Sequence, residues 1–165
     1  GAEDVATALT WGADEHLLLV GAGIAWLVTR SSPSAARRKL GLHLLATTFV
    51  SALLPHVLKT TFDQKRPDRE VVAAHLKGIP ISGKSNDAFP SGHAIHMGAL
   101  ASAASFLPRR QRNAVWTLSV LLSVTRIAIL AHWTTDVVAG FVMGVGVERL
   151  LRVLTEPVSL QNRRK

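Results

Sequence analysis

The chain has no cysteine, which excludes disulfide scaffolds, thiolate metal sites and cysteine nucleophiles. It has no internal repeat and no low-complexity tract, so solenoids and compositional arrays are set aside. Acidic residues are sparse, 11 Asp plus Glu against 19 Lys plus Arg. They are nowhere concentrated enough for a two-metal site. The start is acidic (Glu3, Asp4, Asp14, Glu15), so a cleavable signal peptide is not expected. The surplus of +8 points to an anionic partner: nucleic acid, anionic lipid or a phosphorylated substrate. The basic clusters are short and carry no recognition motif, which argues against nucleic acid. A chain of 165 residues suits one domain, 1–165, ending in a polar tail at 157–165.

Formal charge is also missing from long runs: 17–29, 40–58, 88–107, 114–125 and 137–147. With their flanks, these runs reach or approach the roughly 20 residues of a membrane-spanning helix. They are rich in Ala, Gly, Ser and Thr, residues that allow close helix packing in a bilayer. Gly140 and Gly144 form a small-xxx-small pair on one helical face. Pro55 interrupts the second run, which spanning helices tolerate. The pattern predicts an all-α, membrane-embedded bundle of about five transmembrane helices, near 14–30, 39–63, 91–107, 111–130 and 132–152. A soluble bundle with very apolar helices is the alternative, and a mean hydropathy of +0.25 is compatible with it. Charge placement favours the membrane. Twelve of the 19 basic residues fall at or before the start of helix 2, at or before the start of helix 4, or in the last turn of helix 5 and the tail, which five spans place on one side. The positive-inside rule makes that side cytoplasmic.

The other seven basic residues, Lys59, Lys65, Arg66, Arg69, Lys77, Lys84 and Arg126, map to the opposite side. Lys77 and Lys84 read as solvated loop charges. Lys59, Arg66 and Arg126 adjoin apolar sequence, where a cation is costly unless it meets an anion. Salt bridges to Asp63, Asp68, Glu70, Asp87 and Asp136 would account for them without a ligand. Lys59 and Arg66 are seven residues apart, about two turns, which on one helix puts both on one face before Pro67 stops it. Such a pair forms an anion clamp. Ser91 is a strong N-cap for the third helix, whose N-terminus presents N–H groups and positive dipole to an anion. Gly92 permits close backbone approach, and His93 falls in the first turn. His132 and Asp136, four apart, share a helix face, so the carboxylate is placed to hold the imidazole in one tautomer. Arg126 and His132, six apart, reach one ligand only if the chain breaks between them, which places a turn near 129–132. Each element alone has a structural explanation: a capped helix, an interfacial histidine, a buried pair. Together they meet at one end of the bundle.

Lys59-x6-Arg66-Pro67, Pro90-Ser91-Gly92-His93 and Arg126-x5-His132-x3-Asp136 resemble the motifs of the type 2 phosphatidic acid phosphatase superfamily, in order and at compatible separations. They span 59–136, about half of the chain. Thr125 stands where the family usually has Ser, and five helices stand where many membrane members have six. The resemblance implies a six-helix lipid phosphatase-like fold and a phosphohistidine mechanism without metal or cofactor. It implies His132 as nucleophile, Asp136 as its orienting partner and His93 as general acid, then base. It also implies Lys59, Arg66, Ser91, Gly92 and Arg126 as ligands of the phosphoryl group. The partners it implies are membrane lipids and a lipid phosphate or diphosphate such as undecaprenyl diphosphate, phosphatidic acid, phosphatidylglycerol phosphate or lipid A phosphates. No oligomeric state follows. With the charge pattern, it places a multi-pass protein in the bacterial inner membrane, its site facing the periplasm. A soluble acid phosphatase or vanadium haloperoxidase of the same superfamily, or a non-catalytic anion-binding membrane protein, are the alternatives. The outer loop, 64–90, contains two apolar stretches, 71–76 and 79–81, placed to cover the site or touch lipid. His56 is a packing residue or lines the site. His16, His43, His75 and His96 read as residues that pack or hydrogen-bond within the bundle.

Overall fold

A computed structural model of the chain describes residues 15–62, 64–65, 88–128 and 131–155. Among them are five α-helices: α1 (Glu15–Arg30), α2 (Ala35–Lys59), α3 (Gly92–Ala103), α4 (Arg109–Ala128) and α5 (Thr134–Thr155). A 3-10 turn, Ala104–Phe106, extends α3. The number and order of helices match the expectation from the uncharged runs.

Two boundaries of α2 differ from that expectation, for local reasons. The helix starts four residues early because Ser34, extended after Pro33, caps it by accepting from the Arg37 N–H at 3.5 Å. It ends at Lys59 rather than near 63. The Thr60 hydroxyl donates to the Val57 carbonyl at 2.6 Å, and the Leu58 carbonyl accepts from both Thr61 (2.9 Å) and Phe62 (3.1 Å). The helix on which the Lys59–Arg66 spacing was reckoned thus ends at Lys59, and Arg66 lies outside the described residues. Pro55 lies inside α2, as expected.

The central element is α3, buried along most of its length and packed on α5, α4 and α2. It is built from small residues because neighbouring backbones come very close. A Cβ on Gly140 would lie 2.6 Å from the Ser91 carbonyl oxygen. A Cβ on Gly144 would overlap the Ile95 carbonyl, and one on Gly98 the Phe141 carbonyl. The Gly140/Gly144 pair is thus the seam between α3 and α5.

At the far end of this seam lies a buried polar lock. The Glu148 carboxylate, fully buried, faces His43 Nε2 at 2.9 Å and accepts from Ser102 at 2.5 Å. Arg152 reaches it through Nε at 2.9 Å and through Nη2 at 2.6 and 2.7 Å. Arg152 Nη2 also donates to the Ser102 carbonyl at 2.9 Å. Side chains of α2, α3 and α5 are joined by this cluster, in which His43 has a structural role, hydrogen-bonding within the bundle.

The exterior is apolar instead. Leu17, Val20, Ile24 and Val28 of α1, Phe49 and Leu53 of α2, Leu118 and Leu121 of α4, and Val138 and Val142 of α5 are all exposed. By length and composition, α2 is the one helix among the described residues able to cross a membrane, and α1 is a shorter apolar helix.

The α3–α5 seam predicts opposite outcomes for two glycines of one helix. Gly144→Ala forces the helices apart and should lower stability by about 2 kcal/mol. Gly146→Ala, where a new Cβ meets nothing within 4 Å, should be neutral or stabilising by about 0.5 kcal/mol. Thermal unfolding of the two variants in detergent reads both.

Candidate active site

Ser91 closes the start of α3 in the way its sequence suggested. Its backbone is extended, its Oγ accepts from the Ala94 N–H at 3.4 Å, and it is fully buried. Its own N–H donates to the Asp136 carbonyl at 3.2 Å, which fastens the first turn of α3 to the first turn of α5. Gly92 lies against Pro55 of α2, where an added Cβ would be 3.3 Å from the proline ring. This contact brings the last turns of α2, and with them Lys59, up to the start of α3.

His93, 8% exposed, meets Arg126 of α4: Nη2 is 3.0 Å from Nδ1. Guanidinium has donors and no acceptor, so Nδ1 accepts and the ring proton sits on Nε2. That Nε2 is buried and has no hydrogen-bond partner among the described residues. A polar atom desolvated in this way is costly and calls for an explanation, such as contact with a ligand.

The break between α4 and α5 falls where the sequence required it. The Arg126 carbonyl accepts from Ala131 at 3.1 Å and from His132 at 3.3 Å, and α5 begins at Thr134. Arg126 and His132 are thereby turned towards one end of the bundle. His132, 6% exposed, enters the first turn of α5, which the Ser91 N–H to Asp136 carbonyl bond fastens to the first turn of α3 that carries His93.

The geometry around His132 divides what the sequence assigned to one residue. Its Nδ1 is 2.7 Å from the Ala88 carbonyl and 3.9 Å from Asp136 Oδ2. The first is a hydrogen bond and the second is too long for one. A carbonyl only accepts, so Nδ1 carries the proton and Nε2 keeps its lone pair. The fully buried Asp136 carboxylate instead accepts from the Trp133 N–H at 2.9 Å, capping the start of α5.

Ser91, Gly92, His93, Arg126, His132 and Asp136 are thus brought together at one end of the bundle. Lys59 lies in the adjoining last turn of α2. His56 is exposed, and its Nδ1 donates to the Ala52 carbonyl at 2.9 Å on the helix surface. Arg66, the apolar stretches 71–76 and 79–81, most of the outer loop and the polar tail lie outside the described residues. The sequence reading missed Ala88, which acts through its backbone, and Trp133, whose indole N–H donates to the Lys65 carbonyl at 2.9 Å. Neither has a local sequence signature. Among the described residues, no group of three His, Asp or Glu side chains could hold a metal ion.

Chemically, the site offers an imidazole lone pair on one histidine, an N–H on the other, a guanidinium between helices and a capped helix N-terminus. These parts suit attack on an anionic phosphoryl group.

Comparison with known proteins identifies a family and a fold. The model of a family described as the PAP2 superfamily matches residues 40–157. The chain is 33% identical over 116 residues to a lipid A 1-phosphatase of Rhizobium johnstonii, covering 70% of this chain and 48% of that protein. It is 30% identical over 112 residues to an undecaprenyl-diphosphatase of Sulfolobus acidocaldarius, covering 65% of this chain and 51% of that protein. It therefore spans about half the length of these curated relatives. The crystal structure of a transmembrane PAP2 type phosphatidylglycerolphosphate phosphatase from Bacillus subtilis superposes with a TM-score of 0.68 at 25% identity. That match covers 94% of this chain and 77% of the other.

Ser91→Ala removes the α3 cap and should destabilise by about 1 kcal/mol, whereas Ser91→Gly should cost only about 0.3 kcal/mol. Denaturation of the purified variants distinguishes a capping serine from one whose loss leaves stability unchanged.

Proposed function

Because the chain belongs to the PAP2 superfamily, we propose that it is an integral-membrane lipid phosphatase that hydrolyses a phosphomonoester or diphosphate lipid. In this reading the reaction proceeds through a phosphohistidine, without metal. The observation that carries the reading is the opposite proton placement on two neighbouring histidines. His132 keeps the Nε2 lone pair that a nucleophile needs, and His93 keeps a proton at Nε2.

In the proposed reaction, the lipid phosphate binds between Arg126, the N–H groups at Gly92 and the Ser91 hydroxyl, with Lys59 and Arg66 completing the positive field. His132 Nε2 attacks phosphorus. Asp136, 3.9 Å from the imidazole, offsets the positive charge that develops on the ring. The bound phosphate draws the Arg126 donors to its oxygens, which frees His93 Nδ1 to take up a proton from solvent. His93 passes this proton to the leaving oxygen and later takes one from the water that hydrolyses the phosphohistidine. The work is positioning and charge stabilisation, for which the cations and the helix terminus serve in place of a metal.

Membrane embedding is supported by the apolar outer faces, by the length of α2 and by the likeness to a transmembrane phosphatase. The orientation rests on charge. Arg37, Arg38 and Lys39 begin α2, Arg109, Arg110 and Arg112 begin α4, and Arg149 and Arg152 lie near the end of α5. All lie at the end away from His93 and His132, which favours a cytoplasmic basic end and a site facing the periplasm across the inner membrane. The names of the relatives favour a substrate of lipid A, undecaprenyl diphosphate or phosphatidylglycerophosphate type.

Phosphate release from a panel of these lipids in detergent should persist in EDTA and fall by about 1,000-fold or more in His132→Ala. His93→Ala should accumulate phosphate on His132. Full turnover by His132→Ala, or activity abolished by EDTA, would overturn the mechanism.

A further inference from the structure

We infer that the protonated nitrogen of His132 is set by a closed hydrogen-bonded circuit through the stem of the long loop, and that Trp133 is the positioning residue holding this circuit together. The inference rests on the reading of His132 as the nucleophile.

Three hydrogen bonds and two chain links make the circuit. His132 Nδ1 donates to the Ala88 carbonyl at 2.7 Å. The Ala88 N–H donates to the Gln64 carbonyl at 3.0 Å. Gln64 is followed by Lys65, whose carbonyl accepts the Trp133 indole N–H at 2.9 Å. Trp133 is the neighbour of His132, so the path returns to its start. Lys65 and Ala88 are the described residues on either side of 66–87, and both are tied to the residues that carry the nucleophile. Ala88 is fully buried, which keeps water from competing for its carbonyl.

The chemistry of the two possible partners separates their roles. The Ala88 carbonyl can only accept, so contact with it is compatible only with a proton on Nδ1. Asp136, 3.9 Å away, makes no hydrogen bond to that nitrogen and spends Oδ2 on the Trp133 backbone N–H. Asp136 thus supplies negative charge and a capped corner, while the loop stem supplies the tautomer. The position of the Ala88 carbonyl depends on Gln64, and that of the Gln64–Lys65 segment on the Trp133 indole. Losing the indole N–H frees the segment, lets Ala88 shift and allows the imidazole to place its proton on Nε2, where it blocks attack.

The test is 15N NMR of histidine-labelled protein in detergent, with the His132 signals assigned through His132→Gln. The wild-type protein should show the neutral Nδ1–H tautomer. Asp136→Asn should retain it, because asparagine still offers an acceptor to the Trp133 N–H. Trp133→Phe, which keeps an aromatic ring and removes the donor, should show both tautomers. If the competent tautomer falls to about a tenth, kcat should fall about tenfold with KM within about twofold. A purely structural role would not move the tautomer. A shift to Nε2–H in Asp136→Asn would overturn the assignment, as would an unchanged tautomer and kcat in Trp133→Phe. Should Trp133→Phe fail to fold, the wild-type Trp133 indole N–H decides: slow deuterium exchange supports its bond to the Lys65 carbonyl, and exchange as fast as a free indole overturns its place in the circuit. Absence of turnover in the wild-type protein would count against the phosphatase reading, while the tautomer measurement would stand by itself.

Discussion

The near-contact of two helix backbones organises this molecule. Along the seam of α3 and α5, Gly140 and Gly144 lie against the carbonyls of Ser91 and Ile95 in space that no methyl group could share. This approach puts the Ser91 N–H on the Asp136 carbonyl and so aligns the first turns of both helices. One first turn carries His93, and the other is entered through His132. Their relative placement therefore follows from packing along the whole seam rather than from any bond between the two rings. Far from the site, the Glu148 cluster ties the same helices together a second time and adds α2 through His43. A seam held at both ends resists sliding, the motion that would most readily separate the two histidines.

Polarity in this bundle is turned inside out. Leucine, valine and phenylalanine face outward, while His43, Ser51, Ser91, Asp136 and Glu148 are fully buried. In water such an exterior would be an association hazard. Against hydrocarbon it is the expected surface, and inside it Glu148 and His43 satisfy one another. The same logic explains a core of alanine, glycine and serine. Apolar bulk gains nothing by facing inward when the surroundings are equally apolar, whereas small residues let backbones approach and side-chain hydrogen bonds form.

Within the site, donor-only and acceptor-only partners determine proton positions. Arg126 cannot accept, so it leaves the His93 proton on Nε2. The Ala88 carbonyl cannot donate, so it puts the His132 proton on Nδ1. Two identical side chains are thereby made chemically opposite before any substrate is present. Asp136, paired with His132 by sequence spacing, has its hydrogen bond elsewhere, on the corner that lets the chain turn between α4 and α5.

Much of this was legible in advance. Uncharged runs located five helices, Ser91 marked the start of α3, Gly140 and Gly144 marked a close seam, and the required break between Arg126 and His132 located the α4–α5 corner. The end of α2 was misjudged because Pro67 drew attention, whereas Thr60 closes the helix seven residues earlier through its own hydroxyl. Sequence alone determined the elements and the polar residues that meet at one end of the bundle, because periodicity, capping and charge are properties of neighbours along the chain. Which atom of each histidine bears the proton was decided only by the tertiary structure. A carbonyl such as that of Ala88 is chemically the same at every position, and it acquires a role only when folding brings it 2.7 Å from an imidazole 44 residues away.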